Sequence, residues 1–490
     1  MSDSYLDFYF TNTKSGTKEK FIPKSFENVK IYSCGPTVYN FAHIGNIRSF
    51  LFVDILRRSL LLGGYKLNQS MNITDIDDKI INESIKKGIS IQDFTKPWTD
   101  AFFKDLETLN VLKLEHYPKA TESIEAMVDL VNRLDKNGLV YEKDGSYYFS
   151  ISNFKQYGSL SKIDVSGMKS GVRYDADEYE KDDVRDFVLW KNKKEENETC
   201  FSTHLGEGRP GWHLECSAMI RKIYGSGIDI HTGGIDLLFP HHENEMAQSL
   251  GAYPNEEFVG TWLHCEHLLV DGEKMSKSKG NFYTLRDLLD QDVKPDVVRY
   301  HLISAHYRSK LNFSISKLND SKQALERIQN TLNRILDFSV IESLIDQIND
   351  VSQSYPVPFV NTDLKELYSE FLKSLSEDLN MPKALASIFD GIRFINQKLD
   401  MGEAEQKFIL ESYLLFQVWN QILGVLRFEK ETQTLDADFE RWIEERIGSR
   451  KVAKANKNYT EADNIRKELE AEGIILADTK EGKTTWKKVQ

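Results

Sequence analysis

The chain has 490 residues, a net charge of -13 at pH 7, 28% charged and 40% hydrophobic residues. That balance excludes a disordered chain, and the acidic surplus excludes a protein whose whole surface grips nucleic acid. No apolar run approaches the ~18 residues of a membrane span, so no membrane partner is expected, and ~150 residues per domain gives about three domains.

The opening, "MSDSYLDFYFTNTKSG", has early acids and no basic, apolar leader, so no signal peptide is read and a cytoplasmic location is expected. "VKIYSCG" (29–35) is a β-branched and aromatic run ending at glycine. "NIRSFLFVDILRRSLLLGG" (46–64) is helical in pattern and stops at Gly63 and Gly64, and "YKLNQSMNIT" (65–74) reads as a second strand. Strand, helix, strand is the seed of a parallel α/β sheet with its site at the strand ends. The first turn is "CGPT" rather than G-x-G-x-x-G, and "GKT" at 482–484 has Ala477 where a P-loop needs its first glycine. Any nucleotide must therefore have its phosphates held by other groups.

Helices and short loops are expected over roughly 80–140, then an insertion with extended elements in the turn-rich, charged stretch 161–186. The α/β pattern resumes in "GIDIHTGGIDLLFP" (227–240) and "FVGTWLHCEHLLVDG" (258–272). From about 316, apolar residues recur at helical spacing in 324–336, 363–375 and 382–399, with connections at 352–362 and 429–439. From Arg441 onward 12 Lys and Arg face 9 Asp and Glu, which suits a basic contact site as well as a solvated helix face.

Three clusters carry chemistry. In "FPHHENE" (239–245) Pro240 suits the first turn of a helix, and either His241 or His242 pairs with Glu245 at helical spacing. A zinc protease is excluded because Met246 stands four beyond His242, and as a plain helix start the stretch needs only acids near the positive dipole end. The four cysteines, Cys34, Cys200, Cys216 and Cys265, are too few for a disulfide scaffold. Cys34 and Cys216 can reach the same sheet edge as "FPHHENE", and two thiolates, an imidazole and a carboxylate suit zinc. A second cluster, "VDGEKMSKSKGNF", sets Lys274, Lys277 and Lys279 between Gly272 and Gly280, a loop able to close on a polyphosphate. The third, "TVYNFAHIGNIRSF", puts His43 and Asn46 at a helix start, with Gly45 permitting close backbone approach; this is a phosphate site without a P-loop.

Together the clusters resemble a class I aminoacyl-tRNA synthetase, "HIGN" standing for HIGH and "KMSKS" matching the second signature letter for letter 231 residues later. "CGPTVYNFAHIGN", "MNITDIDDKI", "DFVLWK", "RPGWHLECSAM", "GGIDLLFPHHENE" and "VDGEKMSKSKGN" follow the order of the cysteinyl-tRNA synthetase family. The resemblance spans nearly the whole chain. It implies an α/β Rossmann-like parallel-sheet catalytic domain with an insertion, then a C-terminal helical bundle and a small tail domain. The expected division is 1–115 and 201–270 for the two catalytic halves, 116–200 for the insertion, 271–315 for the KMSKS loop and stem-contact region, 316–430 for the bundle and 431–490 for an anticodon-binding tail.

The resemblance further implies one Zn2+ held by Cys34, Cys216, His241 and Glu245, which selects the thiol of L-cysteine over serine without editing. Four protein ligands fill a tetrahedron, so substrate must add as a fifth ligand or loosen one, Glu245 being the hardest. His242 and Glu243 are left to supporting or surface roles. ATP, taken up with Mg2+, is assigned to His43, Gly45, Asn46, Lys274 and Lys277, with His43, Asn46, Lys274 and Lys277 stabilising phosphate charge. Thr74, Trp212, His231 and Asp236 are assigned to the amino acid, Asp236 to its ammonium. The partner implied is tRNA(Cys), acylated by a monomer. Two departures stand out: Asn46 in place of the last His of HIGH, and Lys279 where the family carries an apolar residue. The rivals are a ligase passing cysteine to an amino sugar and a non-catalytic RNA-binding paralogue; the tail opposes the first and the intact KMSKS the second.

Overall fold

The computed structural model describes residues 5–163, 173–174, 186–196, 198–275, 280–341, 355–429, 437–478 and 484–488. The chain forms two compact units, Met1–Phe428 and Glu429–Gln490.

A hairpin, β1 (Tyr9–Asn12) and β2 (Thr17–Lys20), precedes β3 (Val29–Ser33), α1 (Ile44–Leu62) and β4 (Leu67–Met71). Next come α2 (Asp78–Lys87), α3 (Ile91–Thr108), α4 (Ile124–Lys136), β5 (Val140–Lys143), β6 (Ser146–Phe149), β7 (Arg173–Tyr174), β8 (Asp186–Asn192), β9 (Phe201–Thr203) and β10 (Gly206–Pro210). The chain returns through α5 (Trp212–Tyr224), β11 (Ile228–Gly234), α6 (Glu243–Ala252) and β12 (Val259–Cys265).

β12, β11, β3 and β4 pair in that order, all parallel, with Ile230 beside Ile31 and Val29 beside Leu67. β3 is therefore the switch strand: its crossover through α1 leads to β4 on one side, while β11 lies on the other. The crevice outside the strand ends beside such a strand is where open α/β sheets bind ligands. α1 is buried nearly all round, polar residues included. Its Asp54 accepts from Arg58 at 2.7 Å and from Arg299 at 2.6 Å, and Arg299 also donates to the Leu423 carbonyl at 2.6 Å. One continuous apolar core runs from β3 and α1 into the helices Ile315–Leu336, Thr362–Ser376, Met381–Asp400 and Gln406–Leu423.

The insertion carries a mainly antiparallel sheet ordered β5, β6, β8, β10, β9, so its last two strands fall past the expected boundary at 200. Most of the charged stretch 161–186 lies outside the described residues. In the second unit the helices Ala437–Ala455 and Tyr459–Ala471 and the antiparallel pair Ile474–Asp478 and Thr484–Lys488 share a small core of Ile443, Ile465, Leu469, Ile474 and Leu476.

Candidate active site and metal centre

Cys34 directly follows β3, Cys216 lies in the second turn of α5, and Glu245 is in the first turn of α6. Pro240 does not open α6, as the sequence suggested. The Phe239–Pro240 peptide is cis, Phe239 is extended with φ -138° and ψ 133°, and α6 starts at Glu243. His241 and Glu245 still meet, with Nε2 3.0 Å from Oε1.

Ligand atoms of Cys34, Cys216, His241 and Glu245 all lie within 4.8 Å of one another. The two sulfurs are 3.9 Å apart, and Cys34 Sγ is 3.6 Å from Glu245 Oε1. A tetrahedral zinc with Zn–S bonds of ~2.3 Å separates two sulfurs by ~3.8 Å and a sulfur from an oxygen by ~3.5 Å, so the distances of Cys34 to Cys216 and to Glu245 suit that ion. A second set, Cys34, His231, His242 and Glu245, meets the same 4.8 Å limit. It shares Cys34 and Glu245, with His242 Nε2 3.2 Å from Cys34 Sγ and His231 Nε2 2.9 Å from Glu245 Oε2.

His242 and Glu243 are both fully buried, which removes a surface role for either. Glu243 accepts from the Gly158 N–H at 2.8 Å and from the Ser161 N–H and hydroxyl, each at 2.7 Å, fastening the segment after β6 to α6. β11 has Gly233 opposite His242, where a Cβ would come within 2.6 Å of the ring.

The cluster is strongly polarised. Burial pushes the Glu245 carboxyl up, but His231 and His241 beside it hold it down at about 2. Burial opposes charge on His241, yet Glu245 and Cys216 keep its imidazole protonated to about 10. Burial raises the Cys34 thiol well above its usual range, while against the same penalty Cys216, with hydrogen bonds from Cys34 and His241, is lowered to about 6.

Two supporting histidines escape a sequence reading. His213 Nδ1 is 2.9 Å from His241 Nδ1, and burial drives the His213 pKa well down. A neutral His213 accepts the Nδ1–H of His241 and so leaves Nε2 turned to the cluster. His264 Nε2 lies 2.8 Å from His242 Nδ1, and its own Nδ1 2.8 Å from Thr13 Oγ1. The one available signal was the period-2 alternation that puts Trp262 and His264 on one face of β12.

Beside the cluster opens a cleft of about 320 Å³, lined by Cys34, Trp212, Asp236, His43 and Asn46 among others. Trp212 stacks on the His241 ring at 4.3 Å. Thr74 and His231 stand behind the cleft wall: the Thr74 hydroxyl donates to Glu215 at 2.8 Å, and the fully buried His231 stacks on Trp262 at 4.6 Å.

At the far end of the cleft His43 caps α1. Its Nδ1 accepts from the Gly45 and Asn46 N–H groups at 3.1 and 3.2 Å, and Asn46 Oδ1 accepts from the His43 N–H at 3.3 Å. With Nδ1 accepting, the proton of a neutral His43 sits on Nε2, and the Asn46 amide keeps its NH2 as donor. Lys274 is exposed on the short strand Glu273–Lys274, paired with Leu268–Val270. The two signature segments meet at Gly45, where a Cβ would lie 2.7 Å from the Met275 methyl, and the Ile44 N–H donates to the Tyr283 carbonyl at 2.9 Å. Lys277 and Lys279 lie outside the described residues.

A switch-strand cleft with a capped helix start and a lysine-bearing strand beside it is the site of a class I aminoacyl-tRNA synthetase. A profile described as the tRNA synthetases class I (C) catalytic domain matches residues 20–323, and the DALR domain matches 370–427. A methionyl-tRNA synthetase of Mycobacterium tuberculosis, solved with methionyl-adenylate, shares the fold, with a TM-score of 0.58 at 15% identity over 81% of this chain and 90% of that one. The cysteine–tRNA ligase of Leptospira interrogans serovar copenhageni is 57% identical over 99% of this chain and 100% of its own. That of Brachyspira hyodysenteriae is 43% identical over 98% and 99%. The chain belongs to the cysteine–tRNA ligase family.

Proposed function

We propose that this chain uses ATP to activate L-cysteine and passes the cysteinyl group to the terminal ribose of tRNA(Cys). The observation that carries this reading is the opening of one cleft onto both a two-thiol, imidazole, carboxylate cluster and the capped N-terminus of α1. In the first step a cysteine carboxylate oxygen attacks the α-phosphorus and pyrophosphate leaves. In the second a ribose hydroxyl attacks the acyl carbon, AMP leaves, and the hydroxyl proton passes to phosphate or solvent.

Cys34, Cys216, His241 and Glu245 would hold zinc, which when bound supplies a Lewis acid preferring thiolate sulfur to hydroxyl oxygen. That preference answers the near-identity of cysteine and serine, since an apolar pocket separates near-isosteres by only about 100-fold. His213 and His231 orient the ligands: the first takes the His241 Nδ1 proton, and the second donates to the outer oxygen of Glu245. Asp236 faces the ammonium and Trp212 closes the side of the pocket. Thr74, assigned to the amino acid pocket, fixes Glu215 through its hydroxyl.

The His43 Nε2–H, the Asn46 amide, the α1 N-terminal N–H groups around Gly45, Lys274 and Lys277 stabilise charge on ATP-Mg2+ phosphates. No side chain need serve as nucleophile, because positioning and electrostatics carry both steps. The tail 431–490 is assigned to the anticodon, the segment 271–315 to the tRNA stem, and the enzyme to the cytoplasm as a monomer. Relatives matched along their full length, tail included, support tRNA rather than an amino sugar as acceptor.

Pyrophosphate exchange with cysteine and with serine, before and after zinc removal, followed by acylation of tRNA(Cys), tests the reading. Exchange with cysteine alone, lost with zinc, and acylation of tRNA(Cys) are expected. Equal exchange for both amino acids, or indifference to zinc, overturns the selection mechanism, and absence of acylation overturns the acceptor.

A further inference from the structure

The mouth of the adenylate cleft continues into a second groove of about 470 Å³ between α2 and α3. Tyr39, Asn40 and Trp98 line both spaces, so they share a wall. Beyond that wall the groove is lined by Lys79, Lys86 and Lys87, all exposed, with Asn82, Phe94 and one carboxylate, Glu83, in a chain whose net charge is -13.

The two ends of α2 account for these lysines differently. Lys86 and Lys87 close the last turn, where the helix dipole favours cations. Lys79 sits in the first turn, where the same dipole disfavours a cation, next to Asp78. Its Nζ lies 5.5 Å from the centre of the Tyr39 ring, itself 38% exposed. Lys86 pairs at 2.6 Å with Glu83, both solvent-exposed enough for the bond to be worth little and to yield to a stronger anion. Trp98 meets Phe41 edge-on at 5.1 Å, which holds one aromatic face at the junction of the groove and the cleft.

Lysines along one side, with aromatic rings where the groove meets the reaction site, make the arrangement that binds single-stranded nucleic acid: cations follow the phosphates and rings stack on bases. We propose that this groove is the track along which the unpaired 3′ strand of the RNA acceptor runs into the cleft, Lys79, Lys86 and Lys87 holding its phosphates. The inference rests on the proposed acylation of tRNA and adds where the strand lies.

The test uses the full zinc-loaded chain and the variant K79Q/K86Q/K87Q. Pyrophosphate exchange with cysteine, whose groups lie in the neighbouring cleft, should stay within twofold and reports that the variant folds. The KM for tRNA in acylation should rise about 10- to 100-fold with little change in kcat. Each phosphate on a single strand contributes a salt slope of about 0.7, so the slope of log affinity against log salt should shrink by about 2.

A tRNA shortened by its unpaired 3′ nucleotides separates this track from a diffuse charge effect. Wild type should bind it more weakly than whole tRNA, and the variant should bind the two alike. If the variant keeps the wild-type KM and salt slope, or still distinguishes the two RNAs, the inference is overturned. Should the triple variant lose exchange through misfolding, K79Q alone is read in the same assays, with a slope change of about 0.7 expected and none contradicting. A wild-type chain that exchanges but charges no tRNA would defeat the functional reading instead, so the two failures are distinguishable.

Discussion

The floor and the rim of the cleft are built by opposite means. At the floor, Cys216, His231, His241, His242 and Glu245 are each no more than 1% exposed, and the imidazoles are fixed by further rings or carboxylates behind them. At the rim His43 is half-buried, Asn46 and Lys274 are exposed, and the lysine strand is two residues long. On the proposed function the floor must discriminate a thiol from a hydroxyl, which needs groups that do not move, since a floor able to relax would admit both. On the same reading the rim meets phosphate charge that develops and departs, which donors at an open edge can follow.

That contrast breaks most plainly if damage to the floor and damage to the rim have the same effect. Cys216→Ser should empty the zinc site, measured as metal per chain, and lower cysteine-dependent exchange roughly 1000-fold or more. His43→Ala should leave one zinc per chain and lower the exchange kcat about 100-fold. It also removes a helix cap worth about 1 kcal/mol, so His43→Asn should restore the melting temperature without restoring the rate. His213→Ala should weaken zinc affinity about 10- to 100-fold in a chelator competition, with partial rescue by His213→Asn, whose amide oxygen can take the His241 proton. Gly45→Ala, which sets a methyl against Met275, should raise the KM for ATP about fivefold and leave zinc untouched.

Protons give a further contrast confined to the floor. At pH 7 metal-free Glu245, held at about 2, and Cys216, at about 6, are already ionised. His241, held at about 10, and Cys34, raised by burial, are still protonated. Zinc uptake should therefore release about two protons, and affinity should rise with pH above neutrality. Calorimetry in buffers of different ionisation enthalpy reads this directly, and release of none would contradict the charge pattern.

Much of this was legible in the sequence because it is local. The β-branched and aromatic run 29–35, the helical pattern stopped at Gly63 and Gly64 and the stretch 65–74 each carry their own signal, and the structure puts β3, α1 and β4 within or beside them. His43 and Asn46 were legible as a helix start for the same reason. What was hidden depends on contacts between distant segments. Nothing near His213 marks it as the partner of His241, and nothing near Glu243 shows that Gly158 and Ser161 bind it. "FPHHENE" misled in one respect: α6 starts at Glu243 rather than at Pro240, and His242 as well as His241 lies in the cluster, with His242 Nε2 3.2 Å from Cys34 Sγ. Helical spacing therefore left His241 and His242 as competing partners of Glu245, and the structure keeps both beside it, the second in a set that shares Cys34 and Glu245.

Zinc-edge X-ray absorption on the cysteine-free enzyme decides between those sets. Two sulfurs at ~2.3 Å with two nitrogen or oxygen neighbours at ~2.0 Å are expected for Cys34, Cys216, His241 and Glu245. One sulfur with three lighter neighbours would place the metal on Cys34, His231, His242 and Glu245 and contradict the two-thiolate floor on which selection of cysteine is argued.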